Sequence, residues 1–365
     1  MPVKTKYLTS YPGSKVALIA EGIEVGEQDN LFGQLIGGHK APILTINDLK
    51  RAGSGWKADG IPLDTGRPSL GVKGLHITAE GQEDKLANTT TSIDLTARQY
   101  GLEVGDKREK QYLILDKDEL VKNRIARWYA DRIEGGYDGI DSNGNSKAIG
   151  DGDGLIDKLL ATTPATLFAN PAHYTINTGA GTDIADGDYF TFSTLSNWWV
   201  DLKNGYYSND SGTVYTYRRF VPASAIGYKD VFFVIANPAA YLPLKNTANW
   251  RTYMESYQYS QTGDNPLMAG YARKHVLGQY EGFVCLYSDR MPIYKVNGVR
   301  YAKILLMGAQ GGLYAPGMTL PDKEATDKTG TIDSIYVNSN MGVAQTIAAD
   351  DNKAFNCLTA VVTLK

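Results

Sequence analysis

The sequence predicts an α+β fold, because it contains one clear amphipathic helix and one clear buried strand. After Asp116, apolar side chains recur at helical spacing. Residues 230–244, DVFFVIANPAAYLPL, begin with the continuous apolar run of a strand that is buried on both faces. The chain also has 39 glycines and 24 tyrosines against 9 phenylalanines, which favours many turns and much half-buried surface.

Residues 1–49 are predicted to form an N-terminal arm. They carry few periodic signals but several glycines, including Gly13, Gly22 and Gly26. This composition indicates extended chain with short structured pieces. We expect another surface to hold such an arm in place.

Residues 50–105 are predicted to form an extended loop, which is a projecting β-hairpin. The runs LGVKGLHI and TSIDLTARQYGLEV alternate polar and apolar residues around the charged stretch AEGQEDKLAN. Thr89–Thr91 and Ile93 supply β-branched residues. A projecting hairpin is marginally stable by itself, so we expect neighbouring surfaces to stabilise it.

The long helix is predicted at residues 116–134. Asp116 and Glu119 have the spacing of a capping box, and Gly135 and Gly136 supply a stop signal. A broad stripe at helical spacing consists of Val121, Ile125, Trp128 and Arg132, flanked by Leu120 and Tyr129. The stripe predicts that this helix packs along a large surface.

The rest of the chain alternates loops with shorter elements. Acidic turn loops are expected over residues 137–190, and a second helix after Ser193 or Thr194. A further helix is expected around WRTYMESYQYS, and a polar loop from Pro321 to Gly330. The tail segments SIYVNSNMGVAQTI and CLTAVVTLK are interpreted as closing strands.

Charge and composition exclude several classes of protein. The net charge is −3, from 37 basic and 40 acidic side chains, so contact with nucleic acid is expected to be weak and non-specific. No apolar stretch approaches the roughly 18 residues of a membrane span, and the first residues lack a signal-peptide core. Cys285 and Cys357 are too few for a disulfide framework or a zinc site, so a reducing cytoplasm fits best.

An acidic cluster suggests a calcium hypothesis, because calcium takes several oxygen ligands from one flexible loop. The cluster consists of Asp141, Asn143, Asn145, Asp151, Asp153 and Asp157. Its spacing departs from an EF-hand, since Gly144 comes early and no glutamate occupies the bidentate position. A solvated turn is therefore the preferred interpretation, with calcium as the alternative.

Other candidate chemistry is equally incomplete. The glycine runs at Gly179 and Gly308 match neither nucleotide-binding pattern. Arg218 and Arg219 are too few for a nucleic-acid surface, and an intersubunit salt bridge is the better interpretation. No histidine stands in the order of a catalytic triad; the four are His39, His76, His173 and His275. We predict no catalytic, cofactor or metal site, and no enzyme.

Five stretches occur in an order that is hard to obtain by chance: LFGQLIGGHKAPILTINDLKRAGSG, VKGLHITAEGQEDKLANTTTSIDLTARQYGLEVG, YRRFVPASAIGYKDVFFVIANPAAYLPLKNTANW, NPLMAGYARKHVLGQYEGFVCLYSDRMP and KILLMGAQGGLYA. The fourth is the most specific, through Asn265, Pro266, Gly270, Gly278 and Tyr280. Together they resemble the coat-protein family of podophages related to phage N-four, whose members have the Hong Kong 97-type capsid fold.

The resemblance implies a division of the chain beyond the arm and the extended loop. A peripheral domain is expected at 106–190 with the helix 116–134 as its spine, and an axial domain at 190–317. Residues 318–365 are expected to return as strands to the peripheral domain.

The resemblance also implies a function. The chain is expected to be a major capsid protein that self-assembles, as hexamers and pentamers, into an icosahedral shell around the double-stranded DNA of a tailed phage. Scaffold, portal and decoration proteins are implied partners, and no membrane is involved. The implied location is the virion, assembled in the host cytoplasm. The alternative is a β-rich calcium- or carbohydrate-binding protein.

Overall fold

The structure is a computed structural model, and it describes residues 21–26, 30–47, 50–52, 55–57, 61–63, 87–89, 92–93, 95–106, 117–149, 152–161, 166–168, 189–204, 206–208, 214–216, 219–246, 275–296, 298–326, 332–347 and 356–364. The helices are α1 (21–26), α2 (Leu31–Leu35), α3 (Lys117–Glu134), α4 (Leu155–Ala161), α5 (Phe192–Asn204) and α6 (Leu242–Lys245), with a 3₁₀ turn at Pro238–Tyr241.

The strands, in chain order, are β1 (Ile36–Gly37), β2 (Ile43–Thr45), β3 (Lys50–Ala52), β4 (Gly55–Lys57), β5 (Ile61–Leu63), β6 (Ala87–Thr89), β7 (Ser92–Ile93), β8 (Thr96–Asp106), β9 (Tyr137–Ile140), β10 (Ser146–Ala148), β11 (Thr166–Phe168), β12 (Tyr206–Ser208), β13 (Val214–Thr216), β14 (Ala223–Ala225), β15 (Tyr228–Ala236), β16 (Val276–Tyr280), β17 (Phe283–Tyr287), β18 (Ile293–Val296), β19 (Val299–Met307), β20 (Gly312–Thr326), β21 (Ile332–Gln345) and β22 (Cys357–Thr363).

A five-stranded sheet in the order β1-β2-β20-β21-β8 carries the long helix. Val121 and Ile125 of α3 pack with Val337 of β21, and Trp128 stacks on Tyr100 of β8 at 5.1 Å between ring centroids. The apolar stripe of α3 therefore faces the sheet, as its periodicity indicated. Asp116 lies outside the described residues, so the expected capping box stays a prediction.

An eight-stranded sheet is built on the path β11-β22-β19-β15-β17-β16. Its strand β15 has six consecutive buried residues, and they alternate between two cores. Phe232 and Val234 face α5, whereas Phe233 and Ile235 face the cluster that contains α2 and α4. The continuous apolar run is confirmed as a strand buried on both faces.

Residues 30–47, within the expected arm at 1–49, pack on the rest of the chain. Leu31, Phe32 and Leu35 are fully buried, and β2 pairs in parallel with β20. The Asn30 side chain accepts a hydrogen bond from the Phe32 amide at 2.8 Å and donates one to Ala130 O at 2.9 Å. Leu31, Phe32 and Leu35 supply the buried face of α2.

The stem of the expected extended loop at 50–105 is described in pieces. Strand β4 pairs with β3 and β7, and β5 pairs antiparallel with β6. Residues 64–86 lie outside the described part of the chain. Strand β8, which includes the last residues of the expected loop, pairs with β21 in the five-stranded sheet.

The tail strands divide between the two sheets, and the expected return of residues 318–365 to the peripheral domain stays a prediction. Strand β21 pairs with β8, but β22 pairs with β19 in the eight-stranded sheet. The expected polar loop from Pro321 begins later, since β20 continues to Thr326. Helix α5 starts at Phe192, just before the expected position, and the helix expected around residues 250–260 lies outside the described residues.

Candidate functional site

The C-terminal end of α3 forms a joint with the eight-stranded sheet. Gly135 and Gly136 adopt positive φ angles of 62° and 83°, which L side chains rarely take. The chain turns sharply here, and the Tyr137 amide donates to Arg290 O at 3.0 Å. The stop signal in the sequence therefore marks the point where the long helix meets the loop before β18.

Buried charges hold this joint together. The Ser288 hydroxyl donates to Glu134 Oε1 at 2.6 Å, and Arg290 Nε lies 3.6 Å from Glu134 Oε2. Arg290 also forms an ion pair with Asp131, one helical turn earlier. Burial raises the pKa of Glu134 to about 7; the Ser288 hydrogen bond opposes this shift and the nearby Asp289 adds to it.

An open cavity of about 500 Å³ lies between β8 and α3. It is lined by Thr96, Ala97, Arg98, Gln99, Trp128 and Asp153. Arg98 forms a 2.9 Å ion pair with Asp153 across it, and Arg132 donates to the backbone oxygen of Thr96. The described lining contains neither a cysteine nor a histidine.

The described members of the acidic cluster bind backbone and side-chain groups of the protein itself. Asp141 Oδ1 accepts from the amides of Asn143 and Asn145 at 2.9 and 2.8 Å. Asp157 Oδ2 accepts from the Gly136 amide at 3.1 Å, and burial raises the pKa of this carboxyl. Asp151 lies outside the described residues. In the part of the chain that the structure describes, no three acidic, histidine or cysteine side chains are grouped to hold a metal ion.

The remaining sequence candidates have structural contacts. His39 Nδ1 lies 3.1 Å from Gln310 Nε2, and His275 packs on Tyr287 at 5.6 Å. Arg219 Nε donates to Asn204 O at 3.4 Å, at the end of α5. His76, His173, Gly179 and Arg218 fall outside the described residues.

The glycine run at Gly308 forms a tight corner. The Gly308 amide donates to Asn356 O at 2.8 Å, and Asn356 Oδ1 accepts from the Val221 amide at 3.0 Å. A Cβ on Gly308 would overlap Val221 O. The glycine is therefore required by close backbone packing.

Sequence reasoning missed the joint at Glu134. The ion pair between Arg290 and Asp131 joins residues 159 positions apart, and the Ser288–Glu134 hydrogen bond joins residues 154 apart. Local periodicity carries no information on such pairs. The available signal was the pair Gly135–Gly136, which located the turn but not its partners.

Comparison with solved structures gives likenesses over nearly the whole chain. A chain of the capsid of Ralstonia phage GP4 matches with a TM-score of 0.61 at 16% identity, covering 93% of this chain and 92% of that one. The fold is that of phage capsid chains. The acid-stable capsid of Helicobacter pylori bacteriophage KHP30 gives 0.58 at 12% identity over 92% and 91%, and the cyanophage Pam1 capsid gives 0.54 at 14% over 92% of each.

No family model and no curated protein matches the sequence. At these identities the structural likeness shows a shared capsid fold with mixed helices and strands, as predicted. No helix in the described part of the chain is both long and apolar enough to cross a bilayer.

Proposed function

We propose that this chain is the major capsid protein of a tailed bacteriophage, a shell subunit and not an enzyme. The observation that carries the proposal is a capsid-chain fold match over 93% of the sequence, with 92% of the other chain covered. Coverage of both chains matters, because a shared supersecondary motif alone would align only part of each. The virion is the proposed location, with assembly in the host cytoplasm.

The proposed assembly is an icosahedral shell of hexamers and pentamers around double-stranded DNA. Burial between copies would stabilise the expected extended loop, because a two-stranded hairpin is marginally stable by itself. Obligate interfaces of this kind bury about 2,000–5,000 Å². Scaffold, portal and decoration proteins are proposed partners, and contact with packaged DNA is proposed to be weak and non-specific.

The finer family assignment is also a proposal. We infer a Hong Kong 97-type subdivision, with α3 as the spine, from the five ordered sequence stretches that resemble the N-four-like coat proteins. The combination of a long helix on one sheet and a second, larger sheet supports it. The calcium- or carbohydrate-binding alternative has no support in the described contacts, since the acidic side chains bind the protein's own groups.

Electron microscopy of the protein, expressed alone and with a scaffold partner, tests the proposal. Uniform angular shells are the expected result. Stable monomers under every assembly condition, with no particles, would contradict it.

A further inference from the structure

One end of the eight-stranded sheet is basic. Strands β18 and β19 join in a tight hairpin, in which Lys295 lies directly opposite Arg300. Both side chains are exposed, and within the described residues neither has an ion-pair partner. Like charges directly opposite on neighbouring strands repel each other. In a single subunit this repulsion is not compensated by the described residues.

The basic hairpin is held in a fixed position. The Lys295 amide donates to Asn145 Oδ1 at 2.9 Å, and the Ile293 amide donates to Ser146 Oγ at 2.8 Å. Asp141 belongs to the same turn as Asn145, but its Oδ1 already accepts from the amides of Asn143 and Asn145. Because these two hydrogen bonds hold the hairpin against residues 145 and 146, Lys295 and Arg300 lie on a fixed surface and not on a free loop.

Two acids lie near the starts of neighbouring strands, Asp230 within β15 and Glu281 in the turn before β17. Asp230 and Glu281 are exposed, with positive φ angles of 55° and 44°. Strands β15 and β17 run parallel with Phe232 opposite Phe283, so each acid stands two residues before this pair. Among the described residues neither acid has an ion-pair partner. Lys229 is exposed beside Asp230, and the exposed Lys203 has its Nζ 5.3 Å from the centroid of the Phe232 ring, so this acidic end carries two bases as well.

The strand register places the acidic and the basic residues at opposite ends of the strands, far apart along the strand direction. Strand β19 runs antiparallel to β15, with Ile235 opposite Leu305. Asp230 stands five residues before Ile235, and Arg300 five residues before Leu305, in opposite directions along the sheet. Ten residues of strand separate them by roughly 33 Å.

We propose that these ends form one contact between neighbouring copies, with Lys295 and Arg300 of one copy facing Asp230 and Glu281 of the next. The inference rests on the proposed function, that copies of this chain assemble. Charges at opposite ends of one body suit a head-to-tail contact, which closes into a ring when the rotation between copies permits. Complementary charge sets the register and the rate of such an association.

Sedimentation velocity of the purified full-length chain at low and high ionic strength tests the contact. The unaltered chain is expected to associate at low salt and to dissociate as salt screens the charges. Lys295→Glu with Arg300→Glu is expected to weaken association about tenfold or more. Adding Asp230→Lys and Glu281→Lys to the same chain is expected to restore it.

Lys229→Glu distinguishes the proposed contact from a general effect of the net charge of the chain. The substitution makes the whole chain more acidic, so repulsion between copies predicts weaker association. The proposed contact predicts stronger association, because the acidic end loses one of its two bases. Because Asp230 and Glu281 both have positive φ angles, melting temperature is measured on every protein, and Glu281→Lys alone serves as the milder, single substitution.

Unchanged association of the Lys295→Glu, Arg300→Glu chain would overturn the contact, as would weaker association of Lys229→Glu. An unaltered chain that stays monomeric at low salt would overturn it too. If the proposed function fails but the contact exists, the chain would associate in this salt-dependent way and never close into shells. Normal shells from the Lys295→Glu, Arg300→Glu chain would overturn the contact alone.

Discussion

Gly154, just before α4, packs directly on Gly135 at the end of α3. A Cβ on Gly154 would overlap the Cα of Gly135, and it would lie 2.7 Å from Glu134 O. The start of α4 and the end of α3 are therefore in backbone contact. This contact fixes the direction of α3 relative to α4 at the joint.

We expect Gly154→Ala to lower the free energy of unfolding by about 1–3 kcal/mol, because the obstruction is backbone that cannot rotate away. Urea unfolding followed by circular dichroism measures this. Gly38→Ala is the matched control, since a Cβ there meets nothing within 4 Å. Equal midpoints for the two variants would contradict the close packing.

Glu134 is expected to make stability depend on pH. Its pKa rises from 4.5 to about 7 in the folded chain, mainly through burial, so the folded state binds the proton more tightly. This contribution is complete below about pH 4.5 and is lost as the pH rises through 7, at up to about 1.4 kcal/mol per pH unit.

Glu134→Gln removes the titrating group while keeping a side-chain acceptor for Ser288. The free energy of unfolding, measured between pH 5 and 8, should fall less steeply with pH in this variant than in the unaltered chain. Parallel curves for the two proteins would show that Glu134 does not titrate in this range.

Tyr241 is expected to contribute through its hydroxyl as well as its ring. The side chain is fully buried, and its Oη lies 3.0 Å from Val234 O and 2.8 Å from Leu286 O, to which it donates. Tyr241→Phe should lower the free energy of unfolding by about 1–2 kcal/mol. Tyr336→Phe, with no described hydroxyl hydrogen bond, should be near neutral in the same denaturant titration.

Deletion of residues 60–95 is expected to leave a soluble subunit that forms no particles. The two large sheets take no strand from this range, so the main body keeps its pairing. Size-exclusion chromatography measures solubility, and negative-stain microscopy measures shells. Normal shells from the deletion would refute the assembly role of the loop.

Calcium is expected to have no effect on the purified subunit. Asp141 and Asp153 already bind amides and Arg98, so coordination would have to break these contacts. Isothermal titration with calcium should give no heat, and the melting temperature should not move. A saturable heat with a rise in melting temperature would revive the calcium alternative.

The sequence anticipated elements whose signal is local. The stripe through Val121 and Ile125 predicted which face of α3 is buried, and the run at Phe232–Ile235 predicted a strand without a solvent face. Helix α2 was not anticipated, because three buried apolar residues in one short helix give too weak a periodic signal. Turn glycines at 135 and 136 were located correctly, but their contacts were not.

By itself, the sequence determined which segments are helical or extended and which faces are apolar, because side-chain periodicity and backbone preferences act over a few residues. Only the tertiary structure decided that β22 leaves β21 for the other sheet, and that Arg290 reaches Asp131 and Glu134. Strand order and buried ion pairs join residues far apart in the chain. Strand order and buried ion pairs are determined by how whole sheets pack, and no short segment of the sequence carries a signal for that packing.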